Sequence, residues 1–392
     1  PVELDLSAFR GLVPVEIFGR TRFAPISEEP YQLTLNRHAF FWFTLEAPTG
    51  LPTERGEGGR ALHDLPVLSV TATWEELFTD LTRSPLARLL PAYIRQQRWF
   101  AGKARDIDGI QLLDAIPVAS SSGTARLTLL QVSYAQGDPE VYLLPLCLGR
   151  DSEAQTLLEQ NPGAGIARIR SGSGEDQLLY DAVSSPGFAQ ELLDAINAQR
   201  SFRGVHGELV ARATEALSAL QAGASDLEPA VKRAEQSNSV VTYGDRLILK
   251  LFRRPEAGIN PDVEIGRHLT AHGFSNTPAL GGTLEYRTRD EMRSVAVLTQ
   301  FIPNAEDAFQ HTSHALGRYF ERALRFQAEH REPPAAPAEL LEAAHEPVPA
   351  TVTETIGTYL ESARLLAVRT AELHRALAES EHPDFAPEPF SP

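Results

Sequence analysis

The chain has 392 residues, a formal net charge of −16 and 42% hydrophobic residues. This length exceeds one ordinary hydrophobic core, so we expect two to four domains. The acidic balance argues against a general binder of nucleic acid or of an anionic membrane surface, although a few local cations can still hold a phosphate. Cys147 is the only cysteine and no apolar run approaches membrane-spanning length, so we expect no internal disulfide and a reducing cytoplasm.

The first 47 residues alternate apolar and polar side chains, which predicts β-strands. The predicted strands are Val2–Leu6, Val13–Ile17, Tyr31–Leu35 and Ala39–Leu45. So few strands make a marginal sheet, and the chain begins at Pro1, so we expect that sequence precedes it. Residues 48–64 mix proline, glycine and charge without periodicity, and residues 48–83 are assigned to a linker. Within that span, Thr73-Trp74-Glu75-Glu76 forms a capping box that predicts a helix start before Leu77, Phe78 and Leu81.

The section 84–205 has the pattern of a compact α+β unit. Ser84 and Pro85 predict a helix start, and Pro91 is expected to kink or split that helix. The predicted strands and helix that follow are 109–118, 125–134, 140–148 and Phe188–Ala198. Arg98, Trp99, Phe100 and Lys103 resemble a basic-aromatic nucleic-acid patch, but their isolation favours a core or an inter-domain contact.

One lysine stands where a strand should be apolar. The Gly244-Asp245 dipeptide separates two β-prone runs and predicts a hairpin. Side chains alternate along the second strand, so its three leucines share one face and Lys250 lies on the other. A buried unpaired ammonium is costly, so Lys250 needs a partner. The candidates are an anionic ligand or Glu264, on a helix that Asn260 and Pro261 begin.

Each of these features also has an ordinary interpretation. Spacing alone favours Lys250 as an edge-strand side chain that reaches into water. Glu235–Ser239 could offer donors to phosphates or be a solvated turn. The strand Ser294–Ile302 could be an inter-lobe hinge that receives an adenine edge, or an ordinary buried strand. Beyond Pro303 the pattern predicts helices at His314–His330 and Thr353–Ala378.

Several of these segments together resemble a known pair of families. The run Leu90–Lys103, which contains R-Q-Q-R-W-F-A-G-K, resembles the signature of the maltokinase N-terminal cap domain. Residues 235–252, 260–269 and 302–307 resemble the small lobe and hinge of the same kinases. Residues 1–45 are similar to the C-terminal β-domain of trehalose synthase. Bacteria often fuse these two proteins head to tail, and the chain resembles the junction of such a fusion.

The resemblance implies an α+β multidomain chain with a protein-kinase-like fold, similar to aminoglycoside phosphotransferases. The implied domains are a partial β-sandwich domain of trehalose synthase (1–47), a linker (48–83), an α+β cap domain (84–205), a kinase-like small lobe (206–303) and the start of a helical large lobe (304–392). The implied activity is a sugar kinase that uses ATP and Mg²⁺ to convert maltose to maltose 1-phosphate. The trehalose synthase isomerase would be its partner in cis, in α-glucan metabolism, with no nucleic-acid or membrane partner.

The resemblance also implies a set of nucleotide-binding residues. Lys250 matches the phosphate-binding lysine, and Glu264 matches its helix partner. The phosphate-binding loop corresponds to Gln236, Ser237, Asn238 and Ser239. The hinge corresponds to Gln300 and Ile302. The family also uses an H-G-D-x-H catalytic loop and a later D-F-E that holds Mg²⁺, and neither motif occurs in the 392 residues. We therefore expect no catalytic or metal-binding residue here and a fragment inactive alone. The alternatives are a non-catalytic scaffold or a phosphotransferase for another hydroxyl, such as an aminoglycoside.

Overall fold

The chain forms two compact units, residues 1–61 and residues 62–392. The computed structural model describes residues 2–16, 23, 26–27, 31–33, 42–46, 62–81, 83–121, 123–172, 176–223, 226–232, 237–304, 306–329, 345–380 and 383–388.

The first unit contains two small antiparallel sheets. Its strands are β1 (Val2–Leu4), β2 (Val13–Glu16), β3 (Tyr31–Leu33) and β4 (Phe43–Glu46). Strand β1 pairs with β3 and β2 pairs with β4. Ile26 and Tyr31 are buried among partly buried leucines and phenylalanines, and the rings of Phe23 and Phe43 meet edge to face at 5.0 Å. Each predicted strand therefore has an observed counterpart, although residues 39–41 lie outside the described part.

The second unit begins with a six-stranded sheet and three helices. Its elements are β5 (Val67–Ser69), α1 (Leu86–Ile94), β6 (Ile107–Ser120), β7 (Gly123–Tyr134), β8 (Glu140–Gly149), α2 (Asp151–Gln160), β9 (Gly165–Arg170), β10 (Asp176–Asp181) and α3 (Pro186–Asn197). The strand order is β5-β9-β10-β8-β7-β6, with β5 parallel to β9 and every other pair antiparallel. The three long strands and α3 confirm the α+β pattern predicted for this section.

Two expectations for this region are corrected. Residues 62–81 of the predicted linker are structured, because β5 extends the sheet and Trp74, Leu77 and Phe78 are buried beside α1. Their apolar side chains fill the space beneath the sheet, which a solvated linker would leave open. Helix α1 also continues through Pro91 rather than splitting there.

A seven-stranded antiparallel sheet follows in the same unit. Its elements are β11 (Ser201–Arg203), β12 (Glu208–Ala213), α4 (Leu217–Gln221), β13 (Pro229–Lys232), β14 (Asn238–Tyr243), β15 (Leu247–Phe252), α5 (Pro261–Ala271), β16 (Leu280–Arg287) and β17 (Met292–Gln300). The strand order is β11-β12-β16-β17-β15-β14-β13. Gly244, at φ +53°, makes the predicted turn between β14 and β15. The leucines 247, 249 and 251 are buried on one face, as predicted.

The two sheets share one hydrophobic core, with α3 between them. Phe188, Leu192 and Ile196 of α3 are buried together with residues of both sheets. The hydroxyl of Tyr243 on β14 donates a hydrogen bond of 2.7 Å to the carbonyl of Ala189 on α3. The six-stranded region is therefore fastened to the back of the β14–β15 hairpin.

The last described elements are helical. They are α6 (Ala308–Ala328), α7 (Ala350–Ile356) and α8 (Tyr359–Ala378). The second predicted helix is divided at Gly357, which adopts φ +70°. Large apolar side chains of these helices, including Phe309, Phe320 and Leu366, are mostly exposed. None of the helices described here is both long enough and apolar enough to span a membrane.

Candidate functional site

Lys250 lies in the interior of the seven-stranded sheet. Its strand, β15, pairs with β14 on one side and β17 on the other, so Lys250 lies opposite Val240 and Val297. The edge-strand interpretation of this lysine is therefore wrong. Its side chain is 34% exposed, so the ammonium reaches solvent while its stem crosses the apolar face.

Helix α5 brings an acidic side chain to this lysine. The Asn260 side chain caps the helix by accepting a 2.9 Å hydrogen bond from the N–H of Asp262, and Pro261 occupies the first helical position. Val263 is fully buried against Phe252 and Val297, which anchors the start of the helix on the sheet.

The partner of Lys250 differs from the predicted one. Its Nζ lies 2.9 Å from Oδ2 of Asp262, and Glu264 is two residues further along α5. Two residues turn a helix by about 200°, so Asp262 and Glu264 leave α5 on opposite sides. Asp262 also lies in the first turn, where a carboxylate is favoured by the helix dipole. The predicted Lys250–Glu264 pair is therefore replaced by Lys250–Asp262.

The Lys250–Asp262 ion pair is too exposed for its contribution to folding stability to explain why a lysine occupies this position. Asp262 is 52% exposed and Lys250 is 34% exposed, and solvent-exposed pairs contribute only about 0–1 kcal/mol. The pair holds the ammonium in place at the sheet surface but leaves it accessible. An anionic ligand can therefore contact Lys250 without breaking open a buried contact.

The predicted phosphate-binding loop is only partly described. Gln236 lies outside the described residues, and Ser237 is exposed in a bend before β14. The side-chain amide of Asn238 donates to the Ser237 hydroxyl at 3.1 Å. Ser239 neighbours Val240, which shares its face with Lys250, so Ser239 points to the other face. Its hydroxyl accepts a 2.7 Å hydrogen bond from Nε of Arg253.

The predicted hinge follows β17. The strand ends at Gln300, two residues earlier than expected, and Leu298 is buried. The backbone N–H of Gln300 donates to the carbonyl of Ala279 at 2.9 Å, and that of Phe301 donates to Arg246 at 2.7 Å. Ile302 is 50% exposed beyond these two bonds. Ile302 thus offers an accessible apolar side chain at the end of the sheet.

Comparison with known proteins gives two family matches. Residues 93–184 match the model of the maltokinase N-terminal cap domain, and residues 1–42 match that of the maltogenic amylase C-terminal domain. A trehalose synthase of Thermus thermophilus is 27% identical over 407 aligned residues, which cover 97% of this chain and 35% of that protein. The chain is therefore similar to a maltokinase cap domain over residues 93–184 and to a maltogenic amylase C-terminal domain over residues 1–42.

Other relatives match shorter parts. A trehalose synthase of Pimelobacter sp. (strain R48) is 52% identical over 54 residues, which cover 13% of this chain and 9% of that protein. The chain thus spans between 9% and 35% of the length of these two relatives. A solved glucosamine kinase in complex with glucosamine, ADP and inorganic phosphate aligns with a TM-score of 0.41 and 16% identity over 79% of this chain and 53% of that chain. So loose a superposition carries no conclusion about function.

The signature of the maltokinase cap domain is an internal contact. Trp99 and Phe100 are buried, which confirms the core interpretation over a nucleic-acid patch. A side chain at Gly102 would collide with the Tyr134 hydroxyl. That hydroxyl donates to Glu140 at 2.6 Å, and burial, followed by this hydrogen bond, raises the pKa of Tyr134 to about 12. The phenol therefore stays protonated and remains a donor at neutral pH.

A buried ion pair joins the six-stranded sheet to the seven-stranded sheet. Nη2 of Arg253, directly after β15, lies 2.6 Å from Oδ2 of Asp181 at the end of β10, and both side chains are buried. The guanidinium also lies over the Trp99 ring, 4.9 Å from its centroid. Sequence reasoning missed Asp181, Arg253 and Asp262. The position of Asp262 in the first turn of a capped helix was a usable signal, whereas no local pattern links residues 181 and 253.

Proposed function

We propose that the whole protein joins a trehalose synthase to a maltokinase that uses ATP to phosphorylate maltose, giving maltose 1-phosphate. This chain would contribute the cap domain and the part of the kinase that grips the nucleotide. The observation that carries the proposal is Lys250, an accessible lysine on an interior strand, held by an acidic residue of the next helix. It occurs beside a segment that matches the maltokinase cap domain.

The proposed roles follow from the contacts of each residue. Lys250 would bind the phosphates of ATP, and Asp262 would keep its ammonium charged and oriented before the nucleotide arrives. Ser237 and Asn238, with Gln236, would supply hydroxyl, amide and backbone donors from the loop that precedes β14. Glu264 would act as the second acidic group on α5.

The remaining predicted residues have more limited roles in this proposal. Ser239 would support the loop through Arg253 rather than contact phosphate, because its hydroxyl is already engaged. Gln300 and Ile302 would border the adenine, with Ile302 supplying an apolar side chain. Bound together with ATP, Mg²⁺ would supply neutralisation of the phosphate charge. No H-G-D-x-H or D-F-E motif occurs in the sequence, so we expect maltose 1-phosphate only from a protein that also contains such motifs.

Thermal unfolding with and without MgATP tests the nucleotide site. We expect MgATP to raise the melting temperature of this chain and the Lys250→Ala variant to lose that shift. Lys103→Ala, which removes an exposed lysine of the cap domain, is the matched control and should keep it. An equal shift in both variants would refute a role for Lys250 in ATP binding.

The choice of acidic partner can be tested in the same assay. Asp262→Asn should weaken the ATP response more than Glu264→Gln, because Asp262 is the acidic residue that forms an ion pair with Lys250 in the described part of the chain. The reverse order would restore the pair predicted from sequence.

For the activity, the full fusion should form maltose 1-phosphate from ATP and maltose. Turnover of aminoglycosides without turnover of maltose would reject the proposed substrate.

A further inference from the structure

A second cleft lies behind the nucleotide-gripping hairpin, where the cap domain meets β13 and β14. It has a volume of about 410 Å³. Polar and aromatic side chains from both regions line it, including Tyr93, Arg98, Asn161, Lys232, Asn238 and Arg253. None of these residues has a role in the proposed phosphate grip except Asn238. The cleft is therefore a separate cavity that adjoins one end of that grip.

The floor of the cleft is rigid and locally neutral. Arg253 is fixed there by Asp181 at 2.6 Å and by the Ser239 hydroxyl at 2.7 Å. The guanidinium packs on the ring of Trp99. Because this ion pair and its neighbours are buried, their geometry is set before any ligand binds.

One hydroxyl in the cleft lacks a partner. The Tyr93 hydroxyl is buried and makes no hydrogen bond to any residue in the described part of the chain. Burial raises its pKa well above the usual value, with the charges of Asp181 and Arg253 acting on it as well. Tyr93 lines the cleft together with Asp181 and Arg253, whose charges reach its hydroxyl, so the hydroxyl lies close to the wall of the cleft. A buried donor without an acceptor is unfavourable, and a ligand oxygen would satisfy it.

The rim of the cleft is cationic. Arg98 and Lys232 are both exposed, and within the described ranges neither forms an ion pair. Among the described residues that line the cleft, three carry cationic side chains, Arg98, Lys232 and Arg253, and one carries a carboxylate, Asp181. The chain as a whole carries a formal charge of −16, so this local excess of positive charge opposes the general trend. A small anion matches it.

We propose that this cleft binds a phosphorylated small molecule. Its phosphoryl group would lie between Arg98 and Lys232, and Tyr93 would donate a hydrogen bond to one of its oxygens. The side chain of Asn161 lines the same cleft and would contact a further hydroxyl group, and Asn238 borders both this cleft and the predicted phosphate-binding loop. The site differs from the Lys250 site, because Ser239 and Arg253 belong to the face of the sheet that meets the cap domain.

Binding here would influence the nucleotide. Lys232 ends β13 and Asn238 begins β14, and Asn238 belongs to the predicted phosphate-binding loop. A ligand that joins Arg98 of the cap domain to Lys232 of β13 would therefore lie beside Asn238 of that loop. If binding changes the affinity for ATP, ATP must change the affinity for the ligand by the same factor. This coupling rests on the proposed function, whereas ligand binding in the cleft does not.

Isothermal titration calorimetry on this chain tests the proposal, with inorganic phosphate and glucose 1-phosphate as separate probes. The Arg98→Ala/Lys232→Ala variant should weaken binding at least tenfold, and Lys103→Ala should leave it unchanged. Tyr93→Phe should raise the melting temperature without ligand and weaken the binding of the probe. Tighter binding of glucose 1-phosphate would identify a sugar phosphate as the ligand, and equal affinities would identify free phosphate.

Two results would overturn the proposal. One is equal affinity in Arg98→Ala/Lys232→Ala, Tyr93→Phe and Lys103→Ala. The other is loss of phosphate binding in Lys250→Ala, because the anion would then occupy the nucleotide site. If MgATP does not raise the melting temperature of the wild-type chain but phosphate still binds, the nucleotide site is refuted and the cleft remains supported.

Discussion

Asp114 offers the sharpest test of how the six-stranded sheet is joined to the seven-stranded sheet. This carboxylate on β6 is fully buried and accepts hydrogen bonds from the backbone N–H groups of Val205, His206 and Gly207 at 2.8, 3.1 and 2.9 Å. The Tyr286 hydroxyl donates to it as well, at 3.0 Å. It thus fixes the turn between β11 and β12 and one end of β16 with a single side chain.

We expect Asp114→Asn to destabilise the chain by about 3 kcal/mol. The backbone N–H of Ala115 also donates to this carboxylate, at 2.8 Å, so five donors converge on it. An asparagine oxygen can accept two hydrogen bonds, and its amide group faces donors, so about three donors lose their acceptor at roughly 1 kcal/mol each. The lower end of the usual cost applies because the 205–207 turn is partly exposed and can recruit water. Tyr286→Phe removes one donor only and should cost about 1 kcal/mol.

Urea unfolding followed by circular dichroism measures both changes, with the denaturant slope checked for each variant. Gly204→Ala is an independent perturbation, because its methyl group would collide with the Asp114 carboxylate. It should be destabilising alone and add little to Asp114→Asn, since both disturb one contact. A loss below about 1 kcal/mol for Asp114→Asn, or full additivity with Gly204→Ala, would refute this account of the junction.

Three further outcomes are expected. Arg253→Met should cost about 3–5 kcal/mol in urea unfolding because it leaves the Asp181 carboxylate buried and unpaired, and adding Asp181→Asn should recover most of that loss. Gly282→Ala should be strongly destabilising because its methyl group meets a backbone carbonyl, whereas Gly266→Ala on α5 has ordinary contacts and should stabilise by up to about 1 kcal/mol. Cys147 is buried and burial raises its thiol pKa, so labelling with a thiol reagent should be slow until urea unfolds the chain; rapid native labelling would contradict this burial.

Local sequence rules predicted the β14–β15 hairpin and the start of α5 because these depend on near neighbours. The alternation of Leu247, Leu249 and Leu251 placed Lys250 on the opposite face, as observed. Asn260 followed by Pro261 predicted the helix start to the residue.

The same rules failed where the structure depends on the orientation of a helix about its axis or on a contact between residues distant in sequence. The choice between Asp262 and Glu264 depended on which side of α5 faces Lys250, and the two residues lie symmetrically on either side of the buried Val263, so spacing along the helix could not decide it. The Arg253–Asp181 pair joins residues 72 positions apart, and neither has a local pattern that names the other. Residues 62–81 were assigned to a linker. Strand β5 within them pairs with β9, which comes much later in the chain, and local sequence rules do not show such a distant pairing.

The contacts of the cap domain converge on the strands that carry the proposed nucleotide grip. Tyr243 on β14 donates a hydrogen bond to α3. Ser239, near the start of the same strand, accepts a hydrogen bond from Arg253. Between them lies Val240, directly opposite Lys250. Since the backbone of β14 is held from the cap side at two points, the position of Lys250 depends on cap contacts that never touch a nucleotide. We therefore expect substitutions at Arg253 to lower nucleotide affinity as well as stability.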